Sequence, residues 1–440
     1  MRHQSSFSPS RLHSIVLSVA IFAALSASSA DAAVQAEVSA TASIVDFGAV
    51  GDDRTINTTA IQRNIDALAA KGGGTVRVAA GTFVSGALFF KPGVNLQLDQ
   101  GAVLKCSGNV TTDFPAQRTR IEGHFEDNFT PALINADGCD GMRITGAGTL
   151  DGGGKPIWDQ FWKLRKAAPN AKNFPNLSVP RARLALIENS KNVTIEGVTF
   201  KDSQFWNLHL YRCQDVAVIN TRFVVPDDYK QAPSTDGIDV DSSQRVTIKN
   251  CYFSVTDDCI ALKGSKGPLA LEDKSSPAVE NVRVEDCTFK RGSGLITLGS
   301  EATVVRNVVV ERCKVIGNVP VAVLKLRPDT PQLYEDIHIH DITLESSGGK
   351  ILSISPWLQY ADLKGHQPPQ SVVRNVTLSN VRGRTGSFGT IRPNRGQTKI
   401  SGITLENIDV QLKDGQWAIP NDVDMILKNV VVNGIACMAP

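Results

Sequence analysis

The chain carries almost no net charge, 46 basic against 44 acidic residues, and it contains no Cys-x-x-Cys pair and no cluster of histidine with cysteine. Near neutrality excludes the broad positive field with which proteins collect nucleic acid or membrane surfaces. An anionic partner must therefore be held by local cations. Without clustered thiols and imidazoles, a metal site built from them is excluded, and no cofactor is expected. Asn-Gly turns are scarce, which speaks against a regular meander of hairpins. No second apolar segment of membrane-spanning length follows the N-terminal one, so no membrane partner is expected. The N-terminal run itself, Ile15 to Leu25, is too short to span a bilayer. Arg2 and Arg11 precede it and Ala30-Asp31-Ala32 follows as a small-x-small cleavage site, so residues 1–32 read as a secretory signal peptide. Export to the periplasm or beyond is expected, with residues 33–440 as a single domain and a monomer.

Ten segments share the pattern apolar-x-apolar-x-turn, ending at Gly146, Gly197, Asn220, Asn250, Asp286, Arg312, Asp341, Asn380, Asn407 and Asn429. All but Arg312 are Gly, Asn or Asp, the residues that accept a left-handed backbone most cheaply. From Gly197 onward the spacings run from 22 to 39 residues. A floor with variable excess describes a bare coil with loops inserted on one side. The expected fold is all-β: one parallel β-helix, right-handed on general grounds, which grows in length without needing a new core. Asn57 and Thr58 are placed to cap a helix with an apolar face of Ile61, Ile65 and Leu68, ended by Gly72-Gly73-Gly74. Such a helix would plug the open end of the coil. Cys251, Cys287 and Cys313 recur at one position of the repeat and read as stacked, buried free thiols, although eight cysteines in an exported chain permit disulfides.

The segment from Ser234 to Ser265 contains Asp-x-Ile-x-Val at Asp236 and Asp-x-Ile-x-Leu at Asp258, 22 residues apart. If 22 residues make one coil, these aspartates stack about one strand spacing, ~4.8 Å, apart. Asp257 stands beside them. Like charges so close repel and push at least one carboxyl toward protonation, the condition that acid/base work on a glycosidic bond requires. An Asp-rich turn bonding its own backbone would explain Asp239 and Asp241 better than these three. Lys263, one coil above Asp241, reads as a surface ion pair ahead of a substrate contact. His209 reads as a satisfied structural histidine, and His338 and His340 as solvated. The long insertion from Gly152 to Arg183, with Trp158, Phe161, Trp162 and Arg165, either walls a cleft or packs on the flank of the coil.

Several motifs in order, VDFGAVGDD at 45–53, GAGTLDGGG at 146–154, FWNLHL at 205–210, STDGIDVDSS at 234–243, TDDCIALKGS at 256–265 and ITLGSE at 296–301, resemble those of glycoside hydrolase family 28, the polygalacturonase-like pectin hydrolases. The resemblance implies an inverting hydrolase of α-1,4-galacturonide bonds, a pectic polysaccharide as substrate, Asp257 as general acid, and Asp236 and Asp258 as the pair that activates water. Three positions depart. Ser234 stands for the family's asparagine before Thr235-Asp236, and Gly292-Ser293-Gly294 stands for its Gly-His-Gly, with Gly294 in the histidine's place by strand register. LKLR at 324–327 stands for its Arg-Ile-Lys, with Lys325 in the lysine's place, Val323 in the arginine's and Arg327 compensating from two residues on; the register in which Lys325 and Arg327 exchange roles stays open. The expected substrate-binding residues are thus Lys325, Arg327 and Lys263. The departures leave a rhamnogalacturonan or substituted-galacturonan hydrolase as an alternative. A Ca²⁺-dependent pectate lyase and a non-catalytic carbohydrate-binding β-helix are the others, the last having no need of the three aspartates.

Overall fold

The computed structural model describes residues 40–415 and 423–437; the leader-like residues 1–32 and their cleavage site lie outside them. From Ser39 on the chain forms one compact unit. Its strands wind as a parallel β-helix. One face is a ten-stranded sheet, labelled in chain order β1 (Leu88–Phe90), β2 (Ile134–Asp137), β3 (Ala185–Glu188), β4 (Leu208–Tyr211), β5 (Ile238–Asp241), β6 (Asp258–Lys263), β7 (Gly294–Leu298), β8 (Ala322–Leu326), β9 (Lys350–Pro356) and β10 (Ser387–Ile391). Each pairs in parallel with the next, so sequence order is also spatial order. Most of the remaining strands join a second, 23-stranded sheet. Among the described residues two pairings are antiparallel: the hairpin Gln117–Ile121/His124–Phe129, and Met425–Val432 with Ile435–Cys437.

All ten turn endings named above hold positive φ, from 51° at Arg312 to 117° at Gly146. The repeat is therefore a repeated corner. Asparagine amides stack along it, Asn250 Nδ2 donating to Asn220 Oδ1 at 2.6 Å and Asn429 Nδ2 to Asn407 Oδ1 at 2.9 Å. Arg312, the residue least suited to this backbone, is held by ion pairs to Asp286 at 2.9 Å and Glu285 at 2.8 Å. Inside the coil Phe200, Phe223, Phe253 and Phe289 form a stack with ring centroids 4.9–5.0 Å apart. Cys251, Cys287 and Cys313 are buried, unpaired thiols, and the backbone N–H of Cys251 donates to Cys287 Sγ at 3.3 Å.

Helix α1 (Thr58–Ala69) buries Ile61, Ile65 and Leu68 in the core beside Val76 and Leu88. Asn57 does not cap it through its side chain. That amide instead accepts from Val50 N at 2.7 Å and donates to Thr55 O at 2.7 Å, tying down the preceding loop. Helix α2 (Lys155–Ala167) forms inside the long insertion, where Trp158 and Phe161 are buried while Trp162 and Arg165 face a cavity above the ten-stranded sheet. The insertion thus both packs on the flank and walls a cleft.

Candidate active site

The register matches Ile238 with Ile260 and Val240 with Leu262, so Asp236 leads β5 directly below Asp258, the first residue of β6. Strict alternation would turn both aspartates to the apolar side with those branched residues. It fails at this edge: Cys259 and Ile260, although consecutive, are both buried in the core, and the carboxylate of Asp258 turns to the cleft. Gly237 permits the crowding, since a Cβ there would lie 2.4 Å from Cys259 O and 2.9 Å from the Phe253 ring. Ser234 holds φ +58° just before the pair, a backbone that asparagine adopts more readily.

Asp236, Asp257 and Asp258 each present a carboxylate oxygen within 4.8 Å of the other two. Such a trio could share a cation, and two ammonium groups of the chain itself supply the positive charge. Lys325, on β8, donates to Asp258 Oδ2 at 2.7 Å. Lys263 lies 3.9 Å from Asp236, 3.6 Å from Asp239 and 3.7 Å from Glu301. Burial pushes all three carboxyls of the trio upward. In Asp236 the neighbouring Asp257 and Asp239 add to the effect, leaving it well above the ordinary range, and in Asp257 the Asp258 carboxylate does the same. In Asp258 the burial is outweighed by Lys325 and Lys263, which hold it below the ordinary range. The trio thus divides into an ionised Asp258 and two carboxyls inclined to keep a proton.

Lys263 is not a surface ion pair. It is 5% exposed, and the Asp241 carboxylate opposite it is taken by Arg120 Nε at 3.1 Å. Arg120 belongs to the hairpin at 117–129, which covers this face of the coil. Arg183 donates to Arg120 O and to His209 Nδ1, both at 2.8 Å. His209 Nδ1 must therefore accept, and its Nε2–H faces Asp241 Oδ2 at 3.4 Å, which makes it the structural histidine expected. His338 is exposed, whereas His340 is half-buried beside Asp341 at 2.8 Å.

Arg327 is also placed differently from the expectation. It is 1% exposed, bonded to Asp329 at 2.7 and 2.9 Å and to the carbonyls of Gln359 at 3.2 Å and Tyr360 at 3.0 Å. Alternation alone would turn both side chains to the cleft, but β8 ends at Leu326, so Lys325 keeps the sheet's direction while Arg327, past the strand end, turns to Asp329 and the 359–360 carbonyls. Arg327 anchors the 357–360 loop. Lys325, stacked 4.6 Å from the Trp357 ring, faces the cavity.

The cavity holds about 230 Å³ and is lined by the three aspartates, Lys263 and Lys325, together with Glu122, Trp206, Glu301, Trp357 and Tyr360. None of these last five was singled out from the sequence. Trp206 and Glu301 sit inside the quoted motifs FWNLHL and ITLGSE, which was the available signal. Glu122 and Tyr360 belong to insertions outside the repeat. Of the inserted loops at 226–233 and 264–280, Gln231 to Pro233 of the first line the cavity, whereas the second packs against Tyr211, whose Oη donates to Ser275 O at 2.7 Å.

The model of glycosyl hydrolases family 28 matches residues 88–431. The chain belongs to that family. It is 24% identical over 381 residues to an exopolygalacturonase of Zea mays, covering 84% of this chain and 83% of that protein. It is 25% identical over 356 residues to an endo-polygalacturonase of Pectobacterium parmentieri, covering 79% and 83%. Among solved structures, a hyperthermoactive exopolygalacturonase from Thermotoga maritima aligns with TM-score 0.67 at 22% identity, covering 90% of this chain and 92% of that one. A polygalacturonase from Erwinia carotovora aligns with TM-score 0.65 at 21% identity, covering 90% and 97%. The fold is thereby a right-handed parallel β-helix, and as a family 28 protein the chain is a glycosidase.

Proposed function

We propose that this family 28 glycosidase hydrolyses galacturonide bonds with inversion at the chain ends of a pectic polymer. Asp257, half-buried and inclined to hold its proton, gives that proton to the glycosidic oxygen. Asp258 and Asp236 hold the attacking water between them, and the ionised Asp258 takes its proton as the bond to the anomeric carbon forms. The observation that carries this reading is the division of the trio: one carboxylate fixed in the ionised state by Lys325, beside a carboxyl pushed toward the neutral form. General acid–base chemistry needs both protonation states at once.

The reading of attack at chain ends is supported by the way the insertion at 152–183 is fastened. Trp162 Nε1 donates to Gln231 O at 2.7 Å, Asn176 Nδ2 to Glu122 Oε1 at 2.9 Å, and Tyr360 Oη to Phe174 O. Pinned to three walls, the insertion narrows the cleft around the trio, an arrangement that favours a terminus over a run of sugars on both sides of the bond.

A second reading, action on rhamnogalacturonan or a substituted galacturonan, draws on the same cleft. Lys263 and Lys325 are committed to protein carboxylates, Val323 stands at the arginine position, and Arg165 sits at the rim. Few cations are left for a uronate carboxylate at the reacting ring. The test is product analysis on homogalacturonan and rhamnogalacturonan side by side, following new reducing ends and the ultraviolet absorbance of unsaturated uronates. Reducing ends without absorbance, reduced about 10²–10⁴-fold in Asp257→Asn, are the expected result, and the polymer that yields them identifies the backbone. Absorbance dependent on added Ca²⁺ would mean a lyase. Binding that survives the substitution with no products would mean a carbohydrate-binding module.

A further inference from the structure

Where the family pattern places an imidazole, this chain has Gly292-Ser293-Gly294, and Gly294 lies opposite Asp258 in the register. The serine beside it is not idle. Ser293 Oγ lies 2.6 Å from Asp258 Oδ1 and 3.2 Å from Asp257 Oδ1, and its backbone N–H donates to Asp257 O at 2.9 Å. One hydroxyl thus bridges two carboxyl groups of adjacent residues, one in each of the opposite roles assigned above. A hydroxyl has a single hydrogen and two lone pairs. While its hydrogen points along the shorter contact to Asp258, a lone pair is left for a proton on Asp257.

We propose that Ser293 is the relay that resets the enzyme between turnovers, an inference that rests on the acid and base roles above. An inverting hydrolysis consumes one water: its hydroxide joins the anomeric carbon, and the leaving oxygen takes the proton of Asp257. The cycle ends with Asp257 ionised and the water's second proton on the Asp236–Asp258 pair. Before the next turnover that proton must return. Asp258 Oδ1–H passes its proton to Ser293 Oγ as Ser293 Oγ–H passes its own to Asp257 Oδ1. Two O–H bonds break and two form, and the hydroxyl is left as it began, turned about its Cβ–Oγ bond. In this chain the route runs through one hydroxyl, beside the position where a titrating ring would be.

The reset follows bond cleavage, so its loss lowers kcat and spares kcat/KM. The experiment compares wild type, Ser293→Ala and Ser293→Thr on the responsive polymer, at fixed pH and ionic strength, over a range of acetate and imidazole concentrations. Ser293 is exposed, so the Ala variant is expected to melt with the wild type. The expected result is a kcat for Ser293→Ala reduced toward the ~10²-fold that a positioned proton carrier supplies, with kcat/KM little changed. That kcat rises with buffer concentration as small acids replace the hydroxyl, while wild type and Ser293→Thr are indifferent to buffer. An active wild type whose Ala variant loses kcat and kcat/KM equally and ignores buffer overturns the relay alone, since the hydroxyl then merely orients Asp258. An Ala variant with unchanged kcat overturns it as well. A wild type that releases no reducing ends from either polymer overturns the hydrolase reading, and the relay with it.

Discussion

Of the two ammonium groups at the site, Lys325 acts most strongly on its protonation pattern. Burial alone pushes Asp258 and Asp257 upward together, and Lys325 is the largest influence pulling Asp258 down; it also lowers Asp257 after burial and Asp258 have raised it. The activity needs Asp258 ionised and Asp257 protonated, so its rate rises with pH through the first carboxyl and falls through the second. Lys325→Met removes the depression from both. The acid limb should then move to higher pH, because Asp258 stays protonated longer, and the alkaline limb should move the same way, because Asp257 holds its proton longer. A kcat/KM profile against pH checks this, and the whole bell is expected to shift upward with a lower maximum. A profile that keeps its limbs while losing height would mean Lys325 acts on substrate and not on the carboxyls. At this scale the aspartates were legible in the sequence because a 22-residue interval equals one coil, and stacking alone placed Asp236 under Asp258. The partners of the lysines were not. Lys263 and Arg327 each had a plausible neighbour by alternation, but the hairpin that occupies Asp241 and the turn that hides Arg327 come from segments outside the repeat, whose folding depends on contacts far along the chain.

The coils owe their register to side chains that stack on themselves. Phe253 lies between Phe223 and Phe289 with centroids 5.0 and 4.9 Å away and is fully buried. Its ring also bounds the space that Gly237 leaves empty beside Asp236. Phe253→Ala should cost about 3–5 kcal/mol, the range for an aromatic removed from a packed core. It should also loosen the support beneath the trio. Denaturant unfolding measures the first effect and kcat at a temperature well below the transition the second. The positive-φ corners and the thiol column were readable because each recurs at one position of the repeat, and the α1 helix because Ile61, Ile65 and Leu68 fall on one helical face. The Asn57 cap was misread for a local reason: an amide can serve the helix end or the loop before it, and the loop offered Val50 as both donor and acceptor.

At the scale of the whole molecule, the coil supplies a rigid floor and the insertions decide what reaches it. A bare ten-stranded face would present an open groove, able to take a polymer at any internal bond. Here the 152–183 insertion leads into β3 and reaches the loop after β9, where Tyr360 Oη donates to Phe174 O. Arg327 holds that loop from below through the carbonyls of Gln359 and Tyr360. The bridge joins segments 186 residues apart in sequence, which is why no local pattern announced it. If this bridge closes the groove, the wild type should release small products from homogalacturonan while its viscosity hardly falls in the early reaction. Replacing residues 170–178 by a short Gly-Ser link opens one side without touching the aspartates. Viscosity should then drop several-fold more for each reducing end released, and longer oligomers should appear among the products, while Tyr360→Phe, which removes the hydroxyl and keeps the ring, should show the same change in weaker form. Wild type that thins the polymer from the first bonds cut would mean the insertion walls the cleft without ending it, and chain-end attack would be withdrawn while the roles of the aspartates stood.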